Sequence, residues 1–322
     1  MFQRAALLLL PLLACEPLRA LPTRSSDDLL RRHLWEQTLA LPESERPKVG
    51  LVFSAGSVRG VAHIGVLRVL EDAGFPVDVV SGTSMGAIVG ALYAAGVPAS
   101  RMREVPRRIA VEAQAMFSRM RLLRLLLTES LISAEGLDQL IREEIGEKRF
   151  DQLPKPFACV AMDLRTGEKI VFREGPLAPA VRASMSLPGI FEPVVYRHRV
   201  LVDGGGVDYI PADLTRLLGA DWVMASVTEA DYTRSVPTNV LLTLEQVIDI
   251  RGGVLARHQR QEADFVFDVK PKDIDFLSYD RSEEMAQTGA LAAKLGLKSA
   301  QEGFILHALP RLRLRWSAKA AP

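Results

Sequence analysis

Cysteine is almost missing from this 322-residue chain, which has only Cys15 and Cys159. Two cysteines build no disulfide framework, and with no C-x-x-C pair and no Cys/His cluster a structural zinc is not expected. Histidine is nearly as scarce. The five are His33, His63, His198, His258 and His307, and none stands in a glycine-rich strand end that would suit the base of a triad. His63 reads as a packing residue on a helix and His198 as part of a polar turn. Aromatic residues make up 6% and do not interleave with basic ones, which argues against a base-stacking surface. Charge is balanced at +1, so there is no global pull toward nucleic acid or a strongly acidic partner. No internal repeat and no long low-complexity segment is found. A Walker A loop is absent, and Ala55 and Ser57 stand where G-x-G-x-x-G would place glycines.

What is present is ordinary globular usage, 48% hydrophobic and 25% charged, enough for one large α/β core or two small ones. The first residues are set apart. One positive charge at Arg4 precedes Ala5–Ala14, a run that is apolar throughout and contains Pro11. Ten such residues are too few to span a bilayer but fit the core of a signal peptide over 1–14. The run ends in Leu12-Leu13-Ala14-Cys15, which resembles the lipobox of bacterial lipoproteins. That resemblance implies a lipid-modified Cys15 carrying more than one acyl chain, enough for stable anchoring. Glu16 is not the Asp that often marks inner-membrane retention, so a periplasm-facing lipoprotein of the outer membrane is expected. Residues 15–47 then read as a tether punctuated by Pro17, Pro22, Pro42 and Pro47. It includes a helix opening at Ser26-Asp27-Asp28, with Leu30, Leu34 and Leu39 near the face that packs.

Strand and helix alternate after that. Val49–Phe53 reads as a strand that feeds a loop of small residues, Ser54 to Gly60, and a helix to Ala73 closed by Gly74. Residues 101–150 read as helical and rich in Arg and Leu, most densely over Met120–Leu127, where a packed helix with solvated arginines competes with a lid. Two strands joined at Thr166-Gly167 are expected over 157–173, with Cys159 in the buried first one. A short helix over Ala178–Ser186 breaks at Leu187-Pro188-Gly189. The strand Val200–Val202 ends in Asp203-Gly204-Gly205-Gly206, and Pro211 opens a helix that closes at Gly219. Strands at Trp222–Val227 and Phe265–Val269 and helices near 244–258 and 282–295 complete an α/β sheet covered on both faces. The last stretch, 301–322, reads as a basic tail in which Arg311–Trp316 alternates like an edge strand.

The organising stretch is Val79 to Gly90. An apolar strand runs into Gly82-Thr83-Ser84-Met85-Gly86 and then into an Ala/Ile/Val/Leu helix stopped by Gly96-Val97-Pro98. G-x-S-x-G at a strand-to-helix turn is a nucleophile elbow. The flanking glycines leave room for a turn that a Cβ would block, and Ser84 is raised toward the positive end of the helix. The small-residue loop offers a second set of free N–H groups at a helix start, suited to a phosphate or a developing oxyanion. Arg59 there could hold a substrate phosphate or pin the loop to the sheet.

Three groups of residues stand together in order: Arg59-Gly60-Val61-Ala62-His63 after the small-residue loop, the elbow at Ser84, and Leu201-Val202-Asp203-Gly204-Gly205. With Val181–Gly189 between, this resembles the patatin-like phospholipase family over residues 48–296. The resemblance implies a three-layer α/β fold, a central mostly parallel sheet with helices on both faces, in a hydrolase domain over 48–300. It implies a Ser–Asp dyad with Ser84 as nucleophile and Asp203 as proton acceptor. Backbone N–H groups of Gly56, Ser57 and Met85 would form the oxyanion hole, and Gly82, Gly86, Arg59, Gly60, Gly204 and Gly205 would support the motifs. The expected activity is that of a phospholipase A or lysophospholipase, with no cofactor, no metal and no nucleic acid, on a lipid or lysophospholipid substrate at the membrane that holds the anchor. The family usually carries a run of glycines at Ala55-Gly56-Ser57, so a loop needing φ > 0 at Ala55 or Ser57 would be strained. A lipid-binding protein of weak or no catalysis, and a general serine esterase or peptidase, stay open beside the lipase reading.

Overall fold

The computed structural model describes residues 25–105, 108, 134–229, 240–271 and 279–320. The signal peptide over 1–14, Cys15 and the Arg/Leu stretch Met120–Leu127 lie outside the described residues. Helix α1, Ser26–Leu39, is capped by Ser25, whose Oγ accepts from Asp28 N at 3.2 Å, the usual cure for an orphan N–H of the first turn. Its packed face differs from the expected one. Leu29, Leu30 and Leu39 are exposed, while Trp35 lies 5.0 Å from Phe75 and 6.1 Å from Phe304, ring centre to ring centre. One large aromatic ring buries more area than the leucine stripe and turns the helix to itself.

Strands β1, Val49–Phe53, and β2, Val79–Thr83, are buried at every position, as strands covered on both faces are. Helix α2, Ala62–Asp72, joins them, and α3, Met85–Ala94, follows β2. After α4, Ala134–Ile145, come β3, Phe157–Asp163, and β4, Lys169–Phe172. Helix α5, Leu177–Met185, leads to β5, Val194–Tyr196, and β6, Arg199–Asp203. Then follow α6, Ala212–Leu217; β7, Trp222–Thr228; α7, Val240–Gln259; β8, Phe265–Val269; and α8, Ser282–Ala320.

The eight strands form one sheet in the order β5-β6-β3-β2-β1-β7-β8, with β4 also on β3. β3, β2, β1, β7 and β8 run parallel, β4 and β6 each pair antiparallel with β3, and β5 pairs antiparallel with β6. The mostly parallel α/β sheet flanked by helices is the architecture expected from the strand–helix alternation. Helix α8 packs along α2, and the contact is made by glycines. A Cβ on Gly65 would sit 1.8 Å from Ala286 O, and one on Gly289 would sit 1.9 Å from Ala62 O.

The C-terminal segment corrects the sequence reading. Residues 301–320 are neither an edge strand nor a loose basic tail but the second half of α8. Phe304, Ala308 and Leu312 are buried at a spacing of four, which is a helical period. The arginines go to partners: Arg311 donates to Glu45 O at 2.9 Å and Arg315 to Ala40 O at 3.1 Å.

Candidate active site

Strand β3 brings the two motif residues together. Ala161 pairs with Ile170 of β4 and with Asp203 of β6, so β4 and β6 occupy opposite edges of β3. Val160 pairs with Val171 of β4 and with Thr83 of β2, so β2 lies on the same edge as β6. Along that edge β2 ends at Thr83 opposite Val160, and β6, running the other way, ends at Asp203 opposite Ala161. The two strands meet head-on at their carboxyl ends. The residues that follow or close them, Ser84 and Asp203, have nowhere to go but toward each other.

Ser84 Oγ donates to Asp203 Oδ2 at 2.5 Å, across 119 positions of chain. Asp203 Oδ1 accepts from Gly205 N at 2.8 Å. Both side chains are buried, each 6% exposed. Burial pushes the Asp203 carboxyl up to about 6, against the Ser84 and Gly205 hydrogen bonds that pull it down. Desolvation wins because a carboxylate loses more hydration than two donors restore. Ser84 has φ 59° and ψ −125°, a backbone state an L-residue takes only where its surroundings force it. The glycines explain the force: a Cβ on Gly82 would stand 2.2 Å from Gly86 O, and one on Gly86 would stand 2.4 Å from Phe53 O.

The loop from Ser54 to Gly60 is held by hydrogen bonds from its neighbours. Ala55 N donates to Tyr209 O at 2.9 Å, Ala55 O accepts from Ser54 Oγ and Thr228 Oγ1, and Tyr209 OH donates to Thr228 O at 2.7 Å. Ala55 therefore uses its N–H in the scaffold, which leaves Gly56 and Ser57 as the loop's donors. Among the described residues no partner is found for the N–H groups of Gly56, Ser57 and Met85. All three precede or open a helical turn, where backbone donors are orphaned. Gly56 admits no side chain, because a Cβ would lie 2.1 Å from Thr228 Oγ1. Ser57 has φ 49°, so the strain foreseen for a non-glycine in this loop falls on Ser57 and not on Ala55. Gly60 packs on Met85, with both Cβ and Cγ of Met85 2.7 Å from where its own Cβ would be.

Arg59 does not reach toward the dyad. It pairs with Asp249 of α7, and both are well buried, so the loop is pinned to a helix where the sequence left a phosphate or the sheet as partners. Gly204 lies against Val160, a Cβ there falling 2.4 Å from Val160 O. His63 is buried, with Nε2 3.0 Å from Ser54 O and Nδ1 2.8 Å from Ser226 Oγ. Burial lowers it to about 4. A carbonyl only accepts, so the neutral ring donates from Nε2 and accepts from Ser226 at Nδ1. It is a packing residue, as its place on a helix implied.

Sequence reasoning missed the supports. Ser184 Oγ accepts from Ser84 N at 3.0 Å, and Ser186 O accepts from Asp203 N at 2.8 Å. One turn at the end of α5 thus grips both halves of the dyad. The one signal was Ser184 among the apolar residues of α5, where a buried hydroxyl needs a reason. Among the described residues no group of three or more His, Cys, Asp or Glu is placed to hold a metal.

The family model of patatin-like phospholipases matches residues 51–216, just over half of the chain. The chain belongs to that family. Among curated relatives, an "Uncharacterized NTE family protein" of Mycobacterium tuberculosis is 35% identical over 204 residues, covering 61% of this chain and 54% of that protein. "Patatin-like phospholipase domain-containing protein 6" of Homo sapiens is 36% identical over 179 residues, covering 55% of this chain and 13% of that protein. The patatin-like chain therefore spans about half the length of the first of these and a small part of the second. Among solved structures, human GIVD cytosolic phospholipase A2 superposes with a TM-score of 0.50 at 13% identity, over 88% of this chain and 63% of that one. At that identity the likeness shows the fold alone. The family match supports a lipid hydrolase.

Proposed function

We propose that this patatin-like protein is a serine acyl hydrolase that cleaves carboxylic esters of phospholipids or lysophospholipids by a Ser84–Asp203 dyad. The observation that carries the reading is the 2.5 Å hydrogen bond from Ser84 Oγ to Asp203 Oδ2. Ser84 Oγ attacks the acyl carbonyl while its proton passes to Asp203 Oδ2. The carbonyl oxygen, now negative, is stabilised by the N–H groups of Gly56, Ser57 and Met85 and by the dipole of α3. Protonated Asp203 returns the proton to the departing alkoxide, leaving an acyl-enzyme on Ser84. Water then attacks the acyl carbon, gives its proton to Asp203, and the fatty acid leaves as Ser84 is re-protonated. A carboxyl near 6 is a far better proton acceptor than one at its ordinary value of 3.8 and is still ionised at neutral pH. The dyad needs no metal for any of these steps.

The test is fatty-acid release from mixed phospholipid and lysophospholipid micelles, with chelator present, by wild type beside Ser84→Ala and Asp203→Asn. Release by wild type alone supports the dyad. Release by Ser84→Ala refutes it, and folded wild type that releases nothing makes lipid binding the better reading. Turnover of a peptide but no lipid would instead select the peptidase alternative. The same proposal includes export and acylation at Cys15, which incorporation of labelled palmitate into wild type, and its loss in Cys15→Ser, would support.

A further inference from the structure

Helix α7 has an inner and an outer side of different chemistry. Its inner side carries Asp249, paired with Arg59, and Gln259, whose Oε1 accepts from Tyr209 N and Ile210 N at 2.9 and 3.0 Å. Its outer side carries Leu244, Val247, Ile250 and Val254, exposed at 50%, 59%, 40% and 38%, with Arg257 and His258 exposed beside them. At 3.6 residues per turn these six positions fall within an arc of about 140°. No carboxylate side chain lies in that arc. A solvated helix face in a chain of balanced charge would mix both signs. This one is apolar and cationic apart from Thr243, which is the composition of a helix lying in a lipid interface.

We propose that the outer face of α7 is the surface by which the protein settles on an anionic lipid layer. The inference rests on the lipid-hydrolase reading and adds where the lipid surface would be met. The apolar residues would enter the boundary between headgroups and acyl chains, while Arg257 and His258 meet phosphate. No helix among the described residues is long and apolar enough to cross a membrane, so α7 would lie in the plane of the surface. The helix is joined to both halves of the site. Asp249 holds Arg59, two residues beyond Ser57, and Arg251 Nε donates to Gly206 O at 3.3 Å, three residues beyond Asp203.

The test places a reporter on the face in the full chain. With Cys15→Ser, the remaining native thiol is Cys159, which is fully buried and raised far above the ordinary thiol range, so Val247→Cys supplies the one reactive thiol for an environment-sensitive dye. With vesicles of equimolar phosphatidylglycerol and phosphatidylcholine, dye emission at position 247 is expected to shift to the blue. Pure phosphatidylcholine should give a smaller shift, and Leu295→Cys on α8 none. Adding Arg257→Glu should raise the lipid concentration at half-shift about fivefold or more. Protein that sediments with anionic vesicles while position 247 stays unshifted would overturn the inference. So would equal shifts on both lipids, or a shift that grows with protein concentration without vesicles, which would make a second copy the occupant. Turnover of a soluble short-chain ester separates the two claims. If it persists while the dye is silent, only the docking surface fails; if it is absent in wild type, the hydrolase reading fails.

Discussion

Replacing Asp203 with Asn should abolish turnover and yet make the protein more stable. Folding moves this carboxyl from 3.8 to about 6. At about 1.36 kcal/mol per tenfold change in acidity, holding it ionised in the fold costs about 3 kcal/mol relative to the unfolded chain. The cost is present in full above pH 6, where both states are ionised. It fades as pH falls toward 3.8, because the folded state takes up its proton first and stability rises with acid over that window. Asn is neutral at every pH, keeps an oxygen for Gly205 N, and turns its amide toward Ser84 Oγ. Urea unfolding of wild type and Asp203→Asn should therefore differ by up to about 3 kcal/mol in favour of the variant at pH 8, and by about 1 kcal/mol at pH 4.5. Ester turnover by the same preparation should fall by at least about a hundredfold. A variant no more stable than wild type at pH 8, or a gain that does not shrink with acid, would refute the claim that desolvation dominates this carboxyl.

Other expectations follow from the same geometry. Turnover of a soluble ester by wild type should drop about tenfold per pH unit below about 6, as Asp203 takes up the proton it must accept, and a profile flat to pH 4.5 would remove it as the base. Gly56→Ala should lose about a hundredfold or more in kcat with the fold kept by circular dichroism, since a Cβ 2.1 Å from Thr228 Oγ1 displaces an oxyanion donor; unchanged kcat would exclude Gly56 from the hole. Ser184→Ala should cost about 1–3 kcal/mol in chemical unfolding by orphaning the buried Ser84 N–H, and should lower kcat more than it raises KM. Asp249→Asn should destabilise in the same unfolding assay, because it takes the Asp249 charge away from the Arg59 guanidinium, 3% exposed, and breaking a buried ion pair costs up to about 3–5 kcal/mol.

Local chemistry was legible in the sequence where one short stretch carries it. The elbow around Ser84, the strand ending in Asp203 and the order of strands and helices all follow from apolar periodicity and from glycine at a crowded turn. What was not legible depends on partners far along the chain. The shared edge of β3, which sets Ser84 against Asp203, is a matter of register between strands that no single stretch contains. Arg59 was read as facing a phosphate or the sheet because Asp249 lies 190 positions away. The leucines of α1 looked like its packing stripe until Trp35 found Phe75 and Phe304. Arg311–Trp316 alternates as a strand would, yet the burial of Phe304, Ala308 and Leu312 draws it into a helix.

The head-on meeting of β2 and β6 has a consequence for the cell that makes the protein. A ribosome releases β2 and its serine long before β6, and until β6 fills the rest of the β3 edge the serine has no carboxylate beside it. On the proposed mechanism, a chain that lacks β6 would lack the proton acceptor for Ser84. Hydrolytic power would arrive late, as a property of the closed sheet, and would vanish again with any slip of β3 against either neighbour. The pairing of Ser84 with Asp203 is thus a property of the finished sheet and not of either strand.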